Sequence, residues 1–83
     1  MDIDKALEII KNIEPDYSLK NQVLQGMTLL SKLADEPGEP IFEHDQMWYT
    51  GFEETVKKMD EDTVTMMAKL FWFEDEDAWS HFS

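Results

Sequence analysis

Two runs of carboxylates are the first candidates for chemistry, Asp60-Glu61-Asp62 and Glu74-Asp75-Glu76-Asp77. Clustered oxygens of this kind can hold calcium, and paired carboxyls can act as general acid and base. Neither run has the spaced ligands, glycine and terminal glutamate of a calcium loop. With 19 acids in 83 residues, adjacent carboxylates need no catalytic explanation, and caps on helices account for both runs. His44 and His81 are the two histidines, and without cysteine they could supply at most part of a mixed carboxylate site. Ser18, Ser31, Ser80 and Ser83 stand in no nucleophile-elbow context, and three glycines build no phosphate-binding loop. The chain therefore reads as non-enzymatic, with no catalytic residue, no metal ligand and no cofactor.

What remains is binding. Trp48, Phe52, Phe71, Trp72, Phe73, Trp79 and Phe82 exceed what one narrow apolar stripe can hide. On a helix Phe71-Trp72-Phe73 would point in about three directions, leaving at least one ring at the surface. Large aromatics rimmed by carboxylates are suited to anchoring a basic partner. The expected partner-binding residues are Trp72 and Trp79 as anchors, with Glu74, Asp75, Glu76 and Asp77 beside them and Asp60, Glu61 and Asp62 on the flank. Core filling is the competing use of the same aromatics.

Charge narrows the partner. The formal charge is -12, and all 7 bases are lysine. Arginine, the side chain best suited to phosphate, is missing, and excess carboxylate repels nucleic acid and anionic membranes. Neither is an expected partner. A basic protein surface is, such as that of a nuclease or another nucleic-acid-binding protein. The absence of cysteine fits a reducing compartment. The acidic N-terminus and the lack of a long apolar run argue against export or membrane insertion, so the expected location is the cytoplasm.

The elements that would position these groups read as helices. Ile3, Leu7, Ile10 and Ile13 recur at helical spacing, Asp2 is placed to cap, and Pro15 ends the segment, giving a helix over 2–13. Ser18 is the next N-cap, and Leu19, Val23, Met27, Leu30 and Leu33 mark a helix over 19–34, its short connector predicting an antiparallel pair. Gly26 inside it implies close packing at that point. Asp35 to Pro40 is a break. Residues 41–49 allow two readings: a helix from His44 or Asp45, or an extended segment followed by a helix whose capping box is Thr50-Gly51-Phe52-Glu53. The stripe Trp48, Phe52, Val56, Met59 favours the first, over 45–59. Asp60 or Asp62 caps a fourth helix over 62–73, although Val64, Met66, Ala68, Leu70 and Trp72 also alternate as a strand would. Four successive carboxylates leave no apolar face, so the chain turns at 74–77 before a short terminal helix carrying Trp79 and Phe82.

The expectation is thus one all-α domain over residues 1–83, a four-helix unit with a short C-terminal helix or turn. Its expected core is Ile3, Leu7, Ile10, Val23, Met27, Leu30, Phe52, Val56, Met67, Leu70 and Phe71. Residues 1–40 carry 8 acids and 4 lysines, whereas residues 41–83 carry 11 acids, 3 lysines and nine of the ten aromatics. Size and charge resemble those of small acidic phage proteins that block nucleases and other host defences by mimicking DNA, including anti-restriction and anti-CRISPR inhibitors. No motif of such a family is present, so the resemblance implies a mode of action and no site residues. The expected function is a non-catalytic inhibitor or modulator whose carboxylates stand in for phosphates. An immunity protein or antitoxin neutralising a basic toxin is an alternative. Another is a structural adaptor or homo-oligomer associating through Trp72 and Trp79.

Overall fold

The computed structural model describes residues 1–36 and 38–82. Their order is α1 (Ile3–Asn12), α2 (Gln22–Leu33), β1 (Ile41–Glu43), β2 (Gln46–Gly51), α3 (Phe52–Val56), α4 (Glu61–Lys69), β3 (Phe73–Asp75) and β4 (Ala78–Phe82). Pro37, within the expected break, and Ser83 lie outside the described residues. The all-α expectation is overturned, because the strands form an antiparallel sheet ordered β1-β2-β4-β3 beside the helices. The architecture is α+β.

The first two helices form close to where the apolar spacing puts them. The Asp2 carboxylate accepts from the Asp4 amide at 3.3 Å and starts α1, which ends at the extended Ile13 ahead of Pro15. Its deepest residue is Ala6, whereas Leu7, expected in the core, is 39% exposed. α2 starts three residues later than expected, capped at Asn21 in the left-handed region. Ser18 instead donates its hydroxyl and amide to Asp16 at 2.6 and 3.0 Å, closing a turn. The predicted α1–α2 pair is not the main helix contact, since α1 packs against α4. The connector between α1 and α2 is held elsewhere, by the Asp16 amide donating to the Lys69 carbonyl at 2.8 Å.

The expected helix over 45–59 divides in two. From Gln46 to Thr50 polar and apolar environments alternate, with Met47 and Tyr49 buried, and the segment pairs as β2. The register slips between Tyr49 and Gly51, where Thr50 is the extra residue at φ 54, a bulge that turns the chain into α3. Gly51 rather than Thr50 is the N-cap, and no side chain caps it. Phe52 and Val56 are buried on α3 and Met59 is buried beyond its end, so the helical stripe is limited to the first two and Trp48 falls outside it.

α4 also stops early. Asp60 caps it, and at its far end the Trp72 amide donates to the Met67 carbonyl at 2.9 Å and the Phe71 amide to the Ala68 carbonyl at 3.0 Å. With Phe71 at φ 66 these bonds make a Schellman ending, closed by the buried pair Met67 and Trp72. The chain reverses into β3, and the expected terminal helix is the strand β4. Glu76 and Asp77 make the two-residue turn, with φ of 52° and 60°.

The element order repeats as ααββ-ααββ. The central strands obey the same symmetry, since the pairs Met47↔His81 and Tyr49↔Trp79 flank the central pair Trp48↔Ser80. Met47, Tyr49, Trp79 and His81 lie on one face; the first three join Leu30, Phe52, Val56, Val64, Met67, Leu70 and Trp72 in the core. Of the remaining residues expected there, Ile3, Ile10, Val23 and Met27 pack on its periphery and Phe71 is half-buried. The opposite face carries the row Ile41, Trp48, Ser80, Phe73, one residue from each strand.

Candidate functional site

The two carboxylate runs do different jobs. Asp60 Oδ1 accepts from the Thr63 amide at 2.8 Å and from its hydroxyl at 2.7 Å, so the first run begins α4. These bonds stabilise the ionised carboxylate, the hydroxyl's foremost, and hold its pKa below the ordinary aspartate value. Glu61 pairs with Lys5 at 3.4 Å, and Asp62 is exposed in the first turn. The second run is a hairpin. Glu74 and Asp75 belong to β3, Glu76 and Asp77 form the exposed turn, and Glu74 Oε2 accepts from the Asp77 amide at 2.9 Å. No hydrogen bond or ion pair joins the two runs among the described residues.

The expected anchors are not at the surface. Trp72 is 1% exposed and Trp79 0%. Each indole N–H is satisfied internally, that of Trp72 by the Gln22 carbonyl at 3.0 Å and that of Trp79 by Thr55 Oγ1 at 2.7 Å. Both side chains fill the core, so neither can anchor a partner in this fold, and the self-association surface expected from them is not formed. His81 is also buried, donating Nε2–H to the Leu70 carbonyl at 2.9 Å. His44 sits in the exposed β1–β2 turn at φ 49.

The tryptophan that does reach the surface beside the acidic hairpin is Trp48, which is half-buried. Asp75 Oδ2 accepts from Trp48 Nε1 at 3.0 Å and from Gln46 Nε2 at 2.9 Å. Gln46 Nε2 also donates to Ser80 Oγ at 2.8 Å, and that hydroxyl donates to the Met47 carbonyl at 2.7 Å. Asp75 is on β3 and Trp48 on β2, two strand spacings or about 10 Å apart, with β4 between them. The bond can close only if both side chains lie down over β4. This arrangement covers Ser80, which has no exposed surface although it belongs to the face opposite the core. Alternation of Gln46, Trp48 and Thr50 with Met47 and Tyr49 is the sequence signal that would have placed Trp48 on this face.

Around this network the surface is apolar and negatively charged. Ile41 and Phe42 are both 61% exposed and Phe82 is 47% exposed. The Phe73 and Phe82 rings lie 4.9 Å apart, Phe71 lies 6.3 and 6.1 Å from them, and Tyr17 meets Phe71 edge-on at 5.9 Å. Phe82 lines two open depressions of about 550 and 350 Å³, the first against Tyr17 and Val23, the second against Ile10 and Pro15. The strands and their turns, 41–51 and 73–82, contain six carboxylates and no lysine. The ion pairs Lys5–Glu61, Lys57–Glu53 and Lys58–Asp35 are exposed and lie on the helices and their connectors.

Among the described residues no group of three or more His, Asp or Glu side chains could hold a metal ion. No helix is long and apolar enough to cross a membrane. No family model, curated protein or solved structure matches this chain. The chemistry of its surfaces alone therefore bears on what it does. That surface is a sheet face with fixed polar groups, exposed apolar side chains and one sign of charge, an arrangement suited to docking.

Proposed function

We propose that the protein is a non-catalytic inhibitor or modulator that docks on a basic, nucleic-acid-binding surface of another protein. One observation carries the reading: the strands and turns hold six carboxylates and no lysine, and they flank exposed or half-buried apolar side chains on the sheet face away from the core. Antiparallel sheets commonly leave one face to solvent, where that face is mostly polar. Exposed Ile41 and Phe82, with half-buried Trp48 and Phe73, give this face apolar area to bury against a partner. The carboxylates supply long-range attraction for basic surfaces and repel competing anions. Glu74, Asp75, Glu76 and Asp77 retain the role assigned from sequence, with Trp48 in place of Trp72 and Trp79. The block Asp60 to Asp62 contributes charge from the start of α4. An immunity protein would use the same surface, and the identity of the partner separates the two cases.

The test is capture of partners on the immobilised protein across a salt series, with duplex DNA as competitor. A nucleic-acid-binding protein that is retained at low salt and displaced by DNA is the expected result. Reversing two exposed carboxylates in opposite turn regions, Glu43→Lys with Glu76→Lys, should slow association with that protein on the order of tenfold at low salt and little at high salt. Unchanged association rates would remove the sheet surface from the proposal.

A further inference from the structure

We infer that Trp48, fixed by Asp75 and Gln46, is a platform for the guanidinium group of an arginine in the partner's docking segment. This rests on the proposed function and names the chemistry its central residue recognises. The indole N–H is held by Asp75 Oδ2 at 3.0 Å, and the half-buried side chain stands opposite Ser80 on the sheet face away from the core, so part of the ring is open to a partner. The ring is oriented before any partner arrives. Gln46 Nε2, bonded to both Asp75 and Ser80, locks the carboxylate from the other side. Asp75 Oδ1 accepts no hydrogen bond among the described residues, and it lies at the edge of the ring. A planar cation stacked on the open part of the indole would have that oxygen beside it as an acceptor for one of its N–H groups.

Two features select arginine over other occupants. Guanidinium is weakly hydrated, stacks on aromatic faces and donates in its own plane, whereas ammonium is a compact, strongly hydrated point charge. A nucleic-acid base could also stack on an indole, but its phosphates would meet Glu43, Asp45, Asp75, Glu76 and Asp77 with no lysine in the strands or turns. A second copy of the chain would bring another charge of -12 to the same face.

The experiment compares two synthetic peptides of equal length and charge, one with arginine and serine alternating and the other with lysine and serine. Each is titrated into the isotopically labelled protein at low salt, and the three tryptophan indole N–H resonances are followed. The arginine peptide should shift the Trp48 resonance, leave those of Trp72 and Trp79 in place, and bind roughly tenfold more tightly than the lysine peptide. Trp48→Ala should erase that preference, bringing the arginine peptide to the affinity of the lysine peptide. Asp75→Asn, which keeps an oxygen for Trp48 and Gln46 but removes the charge, should weaken the arginine peptide and keep the folded spectrum. Equal affinities with a stationary Trp48 resonance would overturn the platform while leaving the charge-based reading intact. Failure of both peptides to bind would overturn both.

Discussion

Replacing Gly26 by alanine sets two physical effects against each other. Gly26 lies inside α2, where alanine favours the helix by about 1 kcal/mol. The added Cβ, however, would stand 2.0 Å from Nε1, 2.4 Å from Cε2 and 2.7 Å from Cδ1 of Trp72. No rotation of a flexible side-chain end relieves this, because the near atoms belong to a rigid ring that is 1% exposed. The ring is also tied to α2 by its bond to the Gln22 carbonyl and stacked edge-on to His81 at 5.3 Å. Moving the indole away by more than 1 Å breaks the hydrogen bond and leaves a buried N–H without a partner, about 1–3 kcal/mol. Overpacking adds about 1–3 kcal/mol. After the propensity gain, Gly26→Ala should destabilise the protein by about 1–5 kcal/mol, a large part of a typical total. At about 4–8 °C per kcal/mol the Tm should fall by at least about 4 °C. Urea unfolding followed by tryptophan fluorescence and by circular dichroism would measure it. Trp72→Phe in the Gly26→Ala background should recover part of the loss, since the smaller ring can withdraw from the added methyl. A single variant as stable as the parent, or more so, would refute the close approach of Gly26 to the indole.

Three further perturbations test other joints of the fold. Thr55→Val keeps the side-chain shape but removes the acceptor of the buried Trp79 N–H, and should lower the unfolding free energy by about 1–3 kcal/mol with Thr55→Ser much milder. Thr50, a β-branched residue at φ 54, should be better replaced by asparagine, with a gain of about 1 kcal/mol in urea unfolding; a loss would mean that its hydroxyl or methyl makes a compensating contact. Asp16 and Asp60 have pKa values lowered by hydrogen bonds from Ser18 and Thr63. The unfolded chain therefore binds protons more readily than the folded one. Their contribution is complete above the ordinary aspartate range and fades as pH falls through the folded values. Changing both to asparagine should flatten the fall of Tm below about pH 4, and an unchanged acid limb would deny them that role.

Local chemistry was legible wherever neighbours in the chain decide the outcome. α1 is capped by Asp2 and ends before Pro15, Asp60 caps α4, and the chain turns within the 74–77 run, at Glu76 and Asp77, because capping bonds, proline sterics and turn conformations act within a few residues. Net charge and its concentration in the second half were likewise plain. The sheet was not. Met47 and Tyr49 alternate with Gln46, Trp48 and Thr50 over one short segment, and Phe52 and Val56 just beyond are helical with Met59 buried after them, so the two patterns overlap and imitate a single stripe. What makes β2 a strand is pairing with β4, thirty residues away in sequence, and that energy has no local signature. The same pairing decides the site. Trp79 enters the core because it is opposite Tyr49, and Trp48 reaches the surface because it is opposite Ser80, on the other side of the pleat. Sequence determined that this protein is acidic and aromatic in its second half; only strand register decided which tryptophan the acidic hairpin presents.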